Sequence, residues 1–249
     1  MNKLEDFNPS NNSLEDKVIL ITGAGSGIGR ALSIKFSQMG ANLILLSRDL
    51  GKLENVYEEI IKEGHKEPLI HSMDFENPVE ENFLVVKEAI EEKYGKLDGL
   101  LNNAGFLGDK SPLDQYKYSL WKKVFDINVD STFLLTKTLM PLLKNSDMGS
   151  IIFTSSGVGK KGKAYWGAYA ISKFATEGMM QVFADELENT SNLRINCVNP
   201  GAVRTKMREA AYPAEDPNSN PPPEQILNLY IFLMSDESKE INGQSINAQ

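Results

Sequence analysis

Cysteine, histidine and long hydrophobic runs are all scarce in this chain of 249 residues. A single cysteine, Cys197, excludes an intrachain disulfide, and two histidines give no cysteine/histidine pattern of a zinc site. Unbroken apolar runs such as Val18–Ile21 and Leu43–Leu46 are far shorter than the ~18 residues of a membrane span. Residues 1–16 are polar and acidic, unlike a secretory signal. These absences predict a cytoplasmic protein with no metal, disulfide or membrane segment.

An excess of positive charge is also missing. The chain has 26 Lys and Arg residues against 34 Asp and Glu residues, which gives a formal net charge of -8. Such a balance provides no general attraction for nucleic acid or an anionic membrane, so we expect neither as a partner. With 41% hydrophobic and 24% charged residues, the composition is typical of a globular protein with one large α/β domain or two smaller ones.

Short apolar segments alternate along the chain with segments of helical periodicity. The pattern predicts strands at 17–22, 42–47, 69–73, 97–101, 150–154, 193–198 and 244–247. It predicts helices at 27–39, 50–63, 78–94, 166–187 and 225–234, and one long or two abutting helices at 116–143. Strands that are apolar on both faces and alternate with helices indicate an α/β fold, in which helices cover both sides of a parallel sheet.

No linker or repeat interrupts this alternation. We therefore predict a single domain at 14–249, preceded by a polar and mobile extension at 1–13. Residues 207–223 include five prolines between Tyr212 and Pro223, a density incompatible with regular helix or central strand. We expect an irregular loop or lid there, over the ends of the strands.

A glycine-rich turn follows the first predicted strand. The segment Thr22-Gly-Ala-Gly-Ser-Gly-Ile-Gly29 does not match G-x-G-x-x-G, because Ile28 occupies the place of the third glycine, but it matches T-G-x-x-x-G-x-G. Glycines permit the tight turn and the close approach of a pyrophosphate to the amides at a helix N-terminus. A purely structural turn is the alternative, but the position between strand and helix favours a dinucleotide. The predicted contacts are Thr22, Gly23, Ser26, Gly27, Ile28 and Gly29.

The end of the second strand indicates which dinucleotide binds. NAD sites place a carboxylate there for the ribose 2′-hydroxyl, whereas a 2′-phosphate requires a cation. Strand two ends in Ser47-Arg48, which favours NADP(H) over NAD(H). Two alternatives stay open at this point: Asp49 could contact the ribose, or Arg48 could be a solvated loop charge.

Five further motifs occur at the ends of later strands or in the helices that follow them. They are Asn102-Asn-Ala-Gly105, Asn128, Ser155-Ser156, Tyr169-Ala-Ile-Ser-Lys173, and Asn199-Pro-Gly201 leading to Thr205. With the glycine turn, they give a chain that resembles the classical short-chain dehydrogenase/reductase family from about Leu14 to the end. Residues 153–156 and 166–181 look most like the YciK-type bacterial oxidoreductases.

The resemblance implies a fold and an activity. The fold is a three-layer, doubly wound Rossmann fold with a mostly parallel seven-stranded sheet. The activity is hydride transfer between a nicotinamide and a small-molecule carbonyl or alcohol substrate. Members of the family are usually homodimers or homotetramers.

The Tyr-x-x-x-Lys spacing occurs twice, at Tyr118/Lys122 and at Tyr169/Lys173. Only the second pair follows strand five and has a serine thirteen residues earlier, at Ser156, so we assign the first pair to a helix surface. Tyrosine has an ordinary pKa of about 10, and a nearby cation lowers it. We therefore expect Lys173 to lower the pKa of Tyr169 and to bind the cofactor ribose.

The remaining catalytic roles follow from the same site. Tyr169 is the expected general acid in reduction and base in oxidation, and Ser156 the expected hydrogen-bond donor to the substrate oxygen. By the resemblance, Asn128 positions a water that relays protons to the lysine. The resemblance also implies cofactor contacts from Asp74, Phe75, Asn102, Ala104, Gly105, Pro200, Gly201, Val203 and Thr205, in addition to Tyr169 and Lys173.

Six cations flank these motifs in an otherwise acidic chain: Lys160, Lys161, Lys163, Arg204, Lys206 and Arg208. They predict a positive rim that favours an anionic substrate, with solvated surface charges as the alternative. Three functions remain open: an NADP(H)-dependent carbonyl reductase or alcohol dehydrogenase, a 3-oxoacyl-carrier-protein reductase, and a non-enzymatic dinucleotide sensor. A sensor needs the glycine turn but not Tyr169 and Lys173, which argues against the third.

Overall fold

Seven parallel strands form one sheet in the computed structural model, which describes residues 7–249. The strands are β1 (Val18–Thr22), β2 (Asn42–Ser47), β3 (Leu69–Ser72), β4 (Gly99–Asn102), β5 (Ser150–Thr154), β6 (Arg194–Asn199) and β7 (Ser245–Asn247). Their spatial order is β3-β2-β1-β4-β5-β6-β7, and every neighbouring pair is parallel. The predicted Rossmann-type α/β fold is confirmed, with a sheet that is entirely rather than mostly parallel.

Helices cover both faces of the sheet. They are α1 (Gly27–Gln38), α2 (Leu50–Lys62), α3 (Glu80–Tyr94), α4 (Tyr118–Phe125), α5 (Ser131–Lys144), α6 (Gly167–Leu187), α7 (Lys206–Ala211) and α8 (Leu227–Met234). Alternate side chains of β1 enter two separate cores. Ile19 and Ile21 pack with α1, α2 and α8, whereas Val18 and Leu20 pack with α3, α5 and α6. This explains why the strands are apolar on both faces.

The strand order reverses direction between β1 and β4, which is where a crevice opens in this type of sheet. Thr22, the last residue of β1, holds the two sides of that crevice together. Its hydroxyl accepts hydrogen bonds from the backbone amides of Asn103 and Ala104, both at 2.9 Å. The glycine turn and the loop after β4 are therefore fixed to each other at the carboxyl edge of the sheet.

One predicted segment agrees with the structure in more detail, and another differs. The segment predicted as one long or two abutting helices at 116–143 is α4 and α5, joined by a π-helical turn at Asp126–Asp130. Part of the predicted irregular lid is helical: residues 206–211 form α7, because the Thr205 hydroxyl caps the amide of Arg208 at 3.2 Å. The rest of the lid contains only short 3-10 turns and no strand.

The predicted extension at 1–13 lies partly outside the described residues, which begin at Phe7. The Phe7 ring packs edge-on against Phe232 of α8 with 5.2 Å between centroids, so this part of the segment is in contact with the domain. Within 7–249, no helix has the length and apolar character needed to cross a membrane.

Candidate active site

The glycine turn has the shape required for a bound dinucleotide. Gly23 and Gly27 have positive φ angles of 68° and 54°, a conformation that costs glycine little. A Cβ on Gly29 would lie 2.3 Å from the carbonyl oxygen of Gly23, so α1 begins in direct contact with the end of β1. The side chain of Thr205 lies across the turn, with its methyl group 3.4 Å from where a Cβ on Gly27 would be. The turn and the loop after β6 thus form the two walls of one narrow cleft.

The end of β2 has a cation available for a phosphate. Arg48 is exposed, and within residues 7–249 its guanidinium forms no ion pair. The carboxylate of Asp49 is already engaged: it accepts from the amide of Lys52 at 3.1 Å and pairs with the Lys52 ammonium at 2.5 Å. The hydrogen bonds from Lys52 hold the pKa of Asp49 below its ordinary value. This arrangement favours the prediction that Arg48 contacts a 2′-phosphate over the alternative that Asp49 contacts a ribose hydroxyl.

Tyr169 and Lys173 lie one turn apart in α6, below the end of β5. Both are almost fully buried, with 7% and 5% of their surface exposed. The Lys173 ammonium donates to the carbonyl of Thr154 at 2.7 Å and lies 5.7 Å from the centre of the Tyr169 ring. Ser156, two residues beyond Thr154, lies close enough to the Tyr169 phenol to lower its pKa. The predicted tyrosine and lysine are therefore buried together, and the half-buried serine lies beside them.

Burial changes the proton affinity of both groups. It raises the pKa of Tyr169 to about 12, although the nearby Ser156 opposes the rise. It lowers the pKa of Lys173 to about 8, although the nearby Glu177 carboxylate opposes the fall. The net shift of the Tyr169 pKa is upward, the opposite of the lowering expected from Lys173. Desolvation of the phenol dominates, and the ammonium is directed to a backbone carbonyl.

Asn128 lies at the middle of the π-helical turn and is 2% exposed. Its side-chain oxygen accepts from the amide of Phe106 at 2.7 Å, and its side-chain nitrogen donates to the Phe106 carbonyl at 3.0 Å and to the Ser172 hydroxyl at 2.9 Å. Both N–H groups of the side chain and one lone pair of its oxygen are thus engaged in joining the loop after β4 to α6. At the end of this turn the Ser131 hydroxyl donates to the carbonyl of Ile127 at 2.8 Å. The Ser131 backbone amide donates to the carbonyl of Asp126, five residues earlier, which is the hydrogen bond of a π-helix.

Other predicted cofactor contacts differ in their surroundings. Asp74 is exposed beyond β3, where its carboxylate accepts from the amide of Glu76 at 3.0 Å. Phe75 is buried and stacks on Phe83, so its side chain belongs to the core. The Asn102 side chain is directed to the hydroxyl of Thr136 at 3.1 Å, away from the cleft.

The remaining predicted contacts lie at the cleft. A Cβ on Gly105 would be 3.7 Å from the side-chain oxygen of Asn128 and 3.8 Å from the Lys173 ammonium. In the loop after β6, Gly201 has a φ of 75°, and the Gln249 side chain donates to the carbonyls of Pro200 and Ala202 at 2.7 and 3.1 Å. Val203 in the same loop is buried.

Asn103 was missed by the sequence reasoning. Its side-chain nitrogen donates to the Thr22 carbonyl at 3.1 Å and lies 2.7 Å from where a Cβ on Gly29 would be. Its position in the Asn102-Asn-Ala-Gly105 motif was the sequence feature that could have identified it as a site residue. Tyr118, by contrast, is 79% exposed and Lys122 pairs with Asp126 at 2.6 Å, so that pair lies on a helix surface as expected.

The lowered pKa of Lys173 predicts a pH-dependent stability. Between pH 8 and pH 10.5 the unfolded chain binds more protons at this site than the folded chain, so the stability rises with pH. We expect the free energy of unfolding of the wild type, relative to Lys173→Met, to increase by about 2 kcal/mol from pH 7.5 to pH 10. Urea denaturation of both proteins measures it. The exposed Lys62→Met is the control, for which the difference in free energy of unfolding from the wild type should not change with pH. A difference for Lys173→Met that is also independent of pH would contradict the burial argument.

Comparison with known proteins agrees with this geometry. A family model described as short chain dehydrogenase matches residues 17–216. The uncharacterized oxidoreductase YciK of Escherichia coli strain K12 is 45% identical over 98% of this chain and 96% of its own length. The 3-oxoacyl-[acyl-carrier-protein] reductase FabG of Thermotoga maritima is 35% identical over 94% of this chain and 96% of its own.

A solved structure extends the comparison to a cofactor complex. The short chain dehydrogenase of Shigella flexneri 2a strain 301, complexed with NADP, superposes with a TM-score of 0.94 at 46% identity, over 96% of this chain and all of the other. The chain is therefore a member of the short-chain dehydrogenase family, an oxidoreductase of YciK type that acts on CH–OH or C=O groups with a nicotinamide cofactor.

Proposed function

We propose that the protein is an NADP(H)-dependent carbonyl reductase or alcohol dehydrogenase with Tyr169 as its general acid and base. The observation that carries this proposal is the cluster of the half-buried Ser156 with the buried Tyr169 and Lys173, which lies beside the cleft formed by the glycine turn. The nicotinamide, when bound, supplies or accepts the hydride. The protein's own residues then have to move one proton and stabilise one oxygen.

The pKa values favour the acid form of Tyr169 at neutral pH. With a pKa of about 12, the phenol is protonated and can donate its proton to a substrate oxygen that becomes negative. Lys173, with a pKa of about 8, is still an ammonium and stabilises the phenolate that the donation leaves behind. Ser156 contacts the same phenol, so its hydroxyl is placed to donate to the same substrate oxygen.

Two roles for neighbouring residues follow. Lys173, Asn128 and Gly105 are adjacent, so the π-helical turn lies against the lysine. Because the Asn128 side chain is occupied by protein partners, any relay of protons past it uses the backbone of this turn and a water, not the amide group itself. Asn128 is then a positioning residue for Lys173.

We expect Tyr169→Phe to lower kcat by about 100- to 10,000-fold, because the variant has no proton to donate. Cofactor binding should be retained, since the ring still fills its place. NADPH oxidation with a panel of carbonyl compounds measures kcat, and titration followed by NADPH fluorescence measures cofactor binding. Tyr118→Phe changes the other Tyr-x-x-x-Lys pair and is the matched control, with unchanged kcat. Full turnover by Tyr169→Phe would disprove the assigned role.

The cofactor proposed is NADP(H) in preference to NAD(H). It is supported by Arg48, which forms no ion pair with any residue from Phe7 to Gln249, by the engaged carboxylate of Asp49, and by NADP in the Shigella flexneri relative. Ser47 adjoins the same space, with its hydroxyl 3.3 Å from where a Cβ on Gly25 would be.

Replacing Arg48 should shift the cofactor preference. Without the cation, we expect Arg48→Ser to raise the Kd for NADPH by about 10- to 100-fold and to leave that for NADH nearly unchanged. Equilibrium titration of each nucleotide measures the two constants. Lys62→Ser, at the far end of α2, is the control that should alter neither. Equal losses for both nucleotides would show that Arg48 contacts something other than the 2′-phosphate.

A homodimer or homotetramer is also proposed, and an apolar stripe along α6 supports it. Ile171, Phe174 and Val182 of this helix are 36%, 44% and 57% exposed, and Phe133 of α5 is 44% exposed. Their spacing in α6 places them on one side of the helix, where a second copy would remove them from water.

We expect Phe174→Glu to shift the protein to a smaller species in light scattering coupled to gel filtration. The introduced charge would have to be buried in the interface, which is unfavourable. Ile61→Glu changes an equally exposed apolar residue of α2 and is the control with no change in mass. A wild type that is monomeric at micromolar concentration would exclude the interface.

The second candidate, 3-oxoacyl-carrier-protein reduction, is favoured by the 35% identity to the Thermotoga maritima reductase. Selective turnover of 3-oxoacyl thioesters in the same panel would support it. The third, a dinucleotide sensor, would require the absence of turnover with every carbonyl and alcohol. The cytoplasm is the proposed location, consistent with Cys197 as a buried thiol whose pKa is raised by desolvation.

A further inference from the structure

An aromatic row leads from the catalytic tyrosine to the lid. The rings of Tyr169 and Trp166 have centroids 5.8 Å apart, and those of Trp166 and Tyr212 are 5.9 Å apart. Tyr212 follows α7 directly, so it belongs to the lid, whereas the other two residues belong to α6 and its start. These rings, with Leu107 and Val158, form an apolar cluster of their own next to the proton donor.

Three cations surround the Tyr212 ring. The Lys110 ammonium lies 4.3 Å from its centroid and 5.0 Å from that of Trp166. The Lys163 ammonium lies 5.6 Å from the ring and donates to the Tyr212 hydroxyl at 3.1 Å. The Arg208 guanidinium stacks on the ring at 3.9 Å. The cations come from the loop after β4, the segment before α6, and α7, which are distant in sequence.

Their charges are not equally compensated. Arg208 pairs with both carboxylate oxygens of Glu215, at 2.6 and 2.5 Å. Within residues 7–249, no carboxylate oxygen lies within 4.0 Å of the Lys110 or the Lys163 ammonium. Lys110 instead donates to the carbonyl of Ala211 at 2.8 Å. Two positive charges thus remain without a counter-charge in a protein of net charge -8.

The six cations of the predicted positive rim differ in their contacts and in whether a carboxylate pairs with them. Arg208 is paired, Lys160 donates to the carbonyl of Ser245 at 2.9 Å, and Arg204 contacts Asn218. Lys161 and Lys206 are exposed and make no contact with Tyr212. Of the six, only Lys163 is both at the aromatic row and without a carboxylate partner, and Lys110 was not among them.

We propose that Lys110 and Lys163 form the binding site for an anionic group of the substrate, a carboxylate or a phosphate ester, carried a few carbon atoms from the reacting carbonyl. The inference rests on the proposed function, because Tyr169 marks where that carbonyl lies. The aromatic row gives the intervening carbon atoms an apolar wall, and the two ammonium groups at its outer end attract the anion. The substrate class is therefore an acidic aldehyde, ketone or alcohol of short chain length.

The test compares matched carbonyls with and without the anion. NADPH oxidation is measured with succinic semialdehyde against butanal, and with glyceraldehyde 3-phosphate against glyceraldehyde. We expect the ratio of kcat/KM, anionic to neutral, to exceed 1 for at least one pair in the wild type. The pair with the larger ratio identifies carboxylate or phosphate as the preferred group. A ratio at or below 1 for both pairs overturns the inference while leaving the proposed function in place.

Variants then locate the site. In Lys110→Met and in Lys163→Met, the ratio should fall by about 10- to 100-fold, and Lys110→Arg should largely restore it. Lys161→Met is the matched control, a neighbouring lysine with no contact to Tyr212, and should keep the wild-type ratio. Thermal denaturation verifies folding, and the exposed Lys163 provides the test if Lys110→Met fails to fold. Unchanged ratios in both methionine variants overturn the inference, whereas no turnover of any carbonyl by the wild type overturns the proposed function itself.

Discussion

A lysine ammonium buried under the carboxyl end of β5 is the constraint on which the site depends. Burying a charge is unfavourable unless it is bonded, so Lys173 requires the Thr154 carbonyl at 2.7 Å. The surrounding chain is fitted to it closely. A Cβ on Gly159 would lie 2.8 Å from the Cβ of Lys173, and the Asn128 side chain holds the same turn of α6 through Ser172, the residue before the lysine. Desolvation in this environment brings the pKa of Lys173 to about 8, so the group can change charge close to neutral pH.

The sheet provides a second, independent frame. Its reversal of strand order between β1 and β4 opens the cleft, and the Thr22 hydroxyl prevents the two sides from separating. Asn103 reinforces the same junction through the Thr22 carbonyl. The glycine turn and the proposed proton-transfer cluster are consequently attached to β1 and β5, two strands of one rigid layer that are separated by β4. The lid is the exception, because α7 and its Arg208–Glu215 pair lie outside the sheet.

Local patterns in the sequence were sufficient for much of this architecture. The fully apolar strands, the glycine turn, and the serine thirteen residues before Tyr169 each depend on residues close together in the chain. They predicted the α/β fold and the residues that meet in the proposed catalytic cluster. The sign of the Tyr169 pKa shift was not predictable in this way. It results from desolvation by residues that only the folded chain brings around the phenol. Lys110 is similar, since it reaches Tyr212 across about a hundred residues of chain.

The π-helical turn shows that the number of residues between two helices also determines how the site is built. An α-helix rotates by about 100° per residue, and a π turn contains one residue more than an α turn. Every side chain of α5 is therefore rotated relative to α4, which directs Leu135 and Leu139 into the core. Loss of one residue between Asp126 and Asp130 would preserve the composition of the site almost entirely. It would nevertheless turn the apolar face of α5 away from the sheet. The number of residues in the π turn therefore sets the rotation of α5 about its axis, and a deletion, unlike a substitution, would change it.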